Sequence, residues 1–104
     1  MTEHQKPTIG RVVHYRLSDQ DAEHINQRRA HALAQSRQHG HPHPTHVGNA
    51  ANAGDVYPAD IVRVFDPSVS TANLQVKLDG NDHHWATSRT EGDEPGQWFW
   101  PPRV

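Results

Sequence analysis

At 104 residues the chain is long enough for one domain with a small core, and its lack of cysteine excludes both a disulfide scaffold and thiolate chemistry. Hydrophobic residues make up 33%, against the roughly 45–50% usual when glycine is counted too, so part of the chain is expected to lie outside the core. The formal charge of −2 hides an asymmetry: residues 1–46 hold six Lys/Arg, four Asp/Glu and eight of the ten histidines, and residues 47–104 hold four Lys/Arg against eight Asp/Glu. Nothing in this distribution resembles the basic stripe of a generic nucleic-acid binder, which is not expected here. Protonation of the histidines near pH 6 would make the first half strongly positive. No apolar run approaches the roughly 20 residues that a membrane span needs, and Met1-Thr2-Glu3-His4 does not open a signal peptide, which together fit a cytoplasmic protein.

Thr8 to Leu17 reads as the first strand. Ile9, Val13, Tyr15 and Leu17 share one parity, and Gly10 marks a bulge or a close backbone approach. Ser18-Asp19-Gln20-Asp21 is a helix start, with Ser18 as cap and acidic residues at the positive end of the first turn. The helix should run to about Gln38, before Gly40. Its apolar stripe is narrow (Ala22, Ile25, Ala32, Leu33), so it either packs lightly or serves an oligomer contact, with Ile25 and Leu33 as candidate interface residues. The alternating prolines of Gly40-His41-Pro42-His43-Pro44 hold that stretch extended, and Val47–Asp55 is a small, polar loop. Residues 18–55 therefore form an insertion of helix and His/Pro-rich loop.

The β core spans 56–101. Val56–Phe65 is a strand with Pro58 near its start or on an edge, closed by Asp66-Pro67-Ser68. Asn73–Asp79 alternates cleanly, with Leu74, Val76 and Leu78 on one face and Gln75, Lys77 and Asp79 on the other. Asp79-Gly80-Asn81-Asp82 is the strongest hairpin signal, through residues able to take positive φ. The return strand is His83–Arg89, and Gln97–Trp100 is a short last strand stopped by Pro101-Pro102. The pattern predicts a mainly β single domain over 1–104: a small SH3-like antiparallel barrel or rolled sheet with a helical insertion after the first strand, an OB-like barrel being the alternative.

Four constellations could carry chemistry. In His39-x-His41-x-His43-x-x-His46, the imidazoles of His41, His43 and His46 could hold a metal, but without cysteine, and with two prolines restricting how the rings converge, the tract reads rather as a solvated connector. In His83-His84-Trp85, strand geometry sends His83 and Trp85 one way and His84 the other, with Lys77 or Gln75 across from one of them. Either Trp85 is core, or it forms an aromatic-plus-imidazole platform for a planar ligand, with Arg89 near a phosphate or carboxylate. Arg11 and Arg63 complete the candidate ligand set. In Trp98-Phe99-Trp100, Phe99 points inward and Trp98 and Trp100 form a patch that covers the barrel end or meets another subunit. Finally, the acids of the turns (Asp79, Asp82, Glu91, Asp93, Glu94) read as solvated. No nucleophile elbow, phosphate loop or dinucleotide fingerprint occurs, so neither an enzyme nor a cofactor is expected.

Several stretches are similar to small proteins of actinobacterial tailed phages and prophages. They are Ile9–Tyr15, Ser18–Glu23, Asn73–Val76 through Asp79–Asp82, Trp85–Ser88 and Gly96–Pro101. The resemblance supplies no catalytic residues. It implies an accessory protein in the cytoplasm of an infected host. Such proteins sequester nucleotide signals, inhibit a host protein or form a minor part of the virion. The expected partners are therefore a nucleotide-like small molecule held by a homo-oligomer, or a host or phage protein.

Overall fold

The computed structural model describes residues 5–38, 49–66, 68 and 70–102. In chain order the elements are β1 (Val12–Arg16), α1 (Asp19–Gln38), β2 (Val56–Val64), β3 (Thr71–Lys77), β4 (His83–Thr90) and β5 (Trp98–Phe99). The strands form one antiparallel sheet in the order β4-β3-β2-β1-β5. β1 to β4 are a meander, and β5 returns to the free edge of β1 through His14↔Phe99 and Tyr15↔Trp98. That is the rolled, SH3-like half-barrel expected, with its helix inserted after the first strand. A consecutive meander is not the Greek-key order of an OB-type barrel.

Alternation decides the core. Val13, Tyr15, Leu17, Ala59, Ile61, Leu74, Val76, Ala86 and Trp98 all face the concave side and are buried, joined from α1 by Ala22 and Ile25. Register shifts between Ile61 and Arg63 on β2, and opposite Ala72–Leu74 on β4, put two bulges at the same level and curl the sheet there. Asn73 fixes the second bulge: its Oδ1 accepts from the Ser88 backbone N–H at 2.7 Å and from the Thr87 hydroxyl at 3.0 Å. Ser88 takes a left-handed φ of 56° at that point.

Three expectations are corrected. The first strand begins at Val12 because Thr8–Arg11 is a turn: the Arg11 N–H donates to the Thr8 carbonyl, and Gly10, at φ 92°, donates to the Ile61 carbonyl at 2.8 Å. Ile9 is thereby thrown out of the inward parity and is 71% exposed. The β3–β4 hairpin is where it was expected, but the five-residue link from Leu78 to Asp82 turns without positive φ. Ile25, read as an interface candidate, is fully buried against its own sheet, and Leu33 is only half-buried. Pro58 behaves as expected: it pairs with His14 on β1, and the β2–β3 register starts one residue later at Ala59. Among the described residues no helix is long and apolar enough to cross a membrane.

Candidate functional site

Two arrangements of side chains distinguish this barrel, one on each side of the sheet. The inner one is a polar hub at the start of α1. Ser18 caps the helix by accepting the Asp21 N–H on Oγ at 3.0 Å, and the Asp21 carboxylate accepts the Ser18 N–H at 3.0 Å in return. The same carboxylate accepts the Tyr15 hydroxyl, an N–H of the Arg89 guanidinium at 3.2 Å and a hydrogen bond with His84 Nε2 at 3.0 Å. Burial pushes Asp21 up, but the bonds to His84, Ser18 and Tyr15 outweigh it and hold the acid well below the usual carboxylate range. Tyr15 moves the other way, raised first by burial and then by the neighbouring Asp21 carboxylate. About two turns further along α1, Arg29 makes a second clamp. Its Nε and Nη2 each donate to an Asp82 oxygen at 2.9 Å, while Nη1 reaches the Asn49 carbonyl at 2.7 Å. The hydrogen bonds from Arg29 lower Asp82 to about 2.

With both oxygens of Asp21 engaged, the hub attaches the helix to β1 and β4. The bond between Asp21 and His84 therefore does positioning work within the fold.

The outer arrangement lies on the face turned away from the core. Register puts Trp85, Gln75, Asp60 and Val12 in one row across β4, β3, β2 and β1. In the next row His83 pairs with Lys77, and His14 pairs with Phe99. Trp85 is 56% exposed, because the strand turns His84 and Ala86 inward on either side of it. Val12, Val56, Val62 and Phe65 are also exposed. Guanidinium groups lie over aromatic rings here: Arg63 over Phe65 at 5.3 Å and Arg16 over Phe99 at 5.4 Å. Phe99 also meets the His14 ring edge-on at 5.7 Å. Lys77 pairs with Asp60 at 3.4 Å.

The candidate ligand residues thus divide. His83 and Trp85 share the outer face with Arg63 and with the Lys77 and Gln75 expected across from them. Arg89 does not join them: the β4 bulge turns it to the inner side, where it bonds Asp21 and lies over the Tyr15 ring at 5.9 Å. Arg11 sits at the barrel end, 5.1 Å from the Trp100 ring. Of the two readings of Trp85, the core one is overturned: the indole is exposed, and the buried position belongs to His84.

Trp98 is likewise reversed. Pairing with the inward residue Tyr15 makes it the fully buried member of β5 and sends Phe99 outward with His14. Its Nε1 donates to the carbonyls of Ser70 and Arg89, both at 3.1 Å, and its ring meets Trp100 edge-on at 5.5 Å. Of the two roles expected for Trp98 and Trp100, covering the barrel end or meeting another subunit, the burial of Trp98 fits the first, with Trp100 half-buried beside the core. The histidines His41, His43 and His46 lie outside the described residues. Among the described residues no group of three or more His, Asp or Glu is placed to hold a metal.

The sequence reading missed the exposed apolar residues of β1 and β2 and the Asp21 hub. For the hub one signal was present, an acid three residues after a helix-capping serine. Comparison with protein-family models, with curated proteins and with solved structures finds no match to this chain.

Proposed function

We propose that this protein is a non-catalytic binding module whose outer sheet face captures a nucleotide-like small molecule. The observation that carries the reading is Trp85, a tryptophan held 56% exposed in mid-strand by buried neighbours on both sides. Its indole stands beside Gln75, next to the His83–Lys77 pair, with Arg63 further along the face. An indole face stacks a base, and guanidinium, ammonium and imidazole groups attract its phosphates. Among the described residues nothing encloses such a ligand on one open face, which favours capture between two copies of the chain. In an infected host, the setting that the resemblance to phage proteins implies, capture of this kind would withdraw a defence signal.

Isothermal titration calorimetry with cyclic nucleotides, nucleoside monophosphates and ADP-ribose tests this. One ligand of the panel should bind, and Trp85→Ala should weaken it by about tenfold or more, as expected for loss of one stacked base. Absence of heat with the whole panel would sink the reading. A second reading, docking of a host or phage protein as an inhibitor or minor virion part, is favoured by the exposed Val12, Val56, Val62 and Phe65 around the same tryptophan. Capture of one protein partner by the wild type and not by Trp85→Ala, with no nucleotide bound, would decide for it.

A further inference from the structure

Charge is sorted by the fold in a way the linear sequence does not display. The five strands contain Arg16, Arg63, Lys77 and Arg89 but a single acid, Asp60. The other acids lie in the helix, the loops and the N-terminal stretch, so a chain of net charge −2 carries a basic sheet. Arg89 is turned inward onto Asp21, and Asp60 is already paired with Lys77. Among the strand residues of the outer face the balance is three cations to one acid, before any contribution from His14 and His83.

The same face is studded with rings across its width. Trp85 stands on β4 and Phe99 on β5, at opposite ends of the strand order, four strand spacings or about 19 Å along the curled sheet. Phe65 adds a ring where β2 ends, under Arg63. One mononucleotide has one base and cannot reach two such rings. A flexible phosphodiester strand can, setting successive bases against the rings and its phosphates against Lys77 and the guanidinium groups that lie over Phe65 and Phe99. A duplex cannot, because its bases are stacked on each other and unavailable to these side chains.

We infer that the outer sheet face binds single-stranded nucleic acid across its width, from Trp85 to Phe99. This rests on the reading of Trp85 as a base-stacking platform and extends it from one nucleotide to several. Because the cations come from three different strands, the basic surface could not be seen as a stripe in the sequence.

The test is fluorescence anisotropy of the full chain with a labelled 12-residue oligothymidylate, competed by thymidine monophosphate and by a polyglutamate peptide. The oligonucleotide should bind at least tenfold more tightly than the monophosphate. With three phosphate contacts, the affinity should fall with a logarithmic salt slope near −2, about 10- to 20-fold between 50 and 200 mM salt. Arg63→Ala should reduce that slope by about 0.7. Trp85→Ala should weaken binding roughly 5- to 150-fold and Trp85→Phe much less, since stacking needs only a ring. Equal affinity for the oligonucleotide and the monophosphate would overturn the inference and leave the single-nucleotide reading standing. Binding of neither would remove both. Displacement of the oligonucleotide by polyglutamate at matched charge concentration would overturn it too, by showing a surface that reads charge alone.

Discussion

Asp21 shows how much one residue can be asked to do in a small domain. It is 3% exposed and is the common acceptor for Ser18, Tyr15, His84 and Arg89. A buried carboxylate is tolerated only with such a set of partners, and removing it strands all of them. Asp21→Ala should therefore cost about 3–5 kcal/mol in urea unfolding, far beyond the loss of a helix cap, which is about 1 kcal/mol. The acid limb of stability follows from the same contacts. Asp21 and Asp82 are both lowered in the folded chain, so each stabilises the fold at pH above its ordinary carboxylate value. For Asp82 that contribution should fade as pH falls from about 4 towards about 2. Equilibrium unfolding followed between pH 7 and pH 2 checks this, and a flat profile below pH 4 would contradict it. Ser18 as cap was legible because capping is local. The rest of the hub was not, since His84 and Arg89 come from 63 and 68 residues away.

At the scale of elements, the extent of α1 could be read from its cap and from the position of Gly40 in the sequence, but the stripe by which it docks could not. Apolar residues alone gave a weak pattern of Ala22, Ile25, Ala32 and Leu33, interrupted by Arg28 and Arg29. The docked stripe is Asp21, Ala22, Ile25 and Arg29, and the two charged members carry their own partners with them. Asn26 strengthens the attachment by exchanging hydrogen bonds with both backbone groups of Ala51, at 2.8 and 3.0 Å. Arg29 works through its planar fork, which lysine lacks. Arg29→Lys should thus cost about 1.5–3 kcal/mol, the range for a charged hydrogen bond lost in a partly buried place. It should also let Asp82 rise from about 2 towards the ordinary carboxylate range. Carboxyl NMR titration of the variant reads that shift directly, and an Asp82 that still titrates near 2 would mean that Arg29 is not its main partner.

For the molecule as a whole, the question is what closes a sheet whose last strand is only two residues long. Strand count, hairpin position and the place of the insertion were readable, because β1 to β4 are long enough to show alternation or turn chemistry. The sides taken by the tryptophans were not readable. Two residues of β5 offer no alternation, and in His83-His84-Trp85-Ala86 the inward parity is set by His84 finding Asp21, a partner the strand itself does not reveal. The result is two tryptophans with opposite employment. Trp98 spans the interior from β5 to the carbonyls of Ser70 and Arg89, so it ties the returning strand to the β3–β4 side of the roll. Glu91 and Gly92 complete that seam, the Gly92 N–H donating to the Trp98 carbonyl at 2.9 Å. Trp98→Ala should therefore cost about 3–5 kcal/mol from the cavity alone. Trp98→Phe should keep most of the packing but strand two carbonyls, for about 1–3 kcal/mol. Among the described residues Trp85 makes no comparable contact, and Trp85→Ala should stay within about 0.5 kcal/mol of wild type, as surface substitutions do. Urea midpoints of the three variants separate the roles. If Trp85→Ala unfolds as early as Trp98→Ala, the exposed indole is part of the fold, and its loss could no longer be used to locate a binding face.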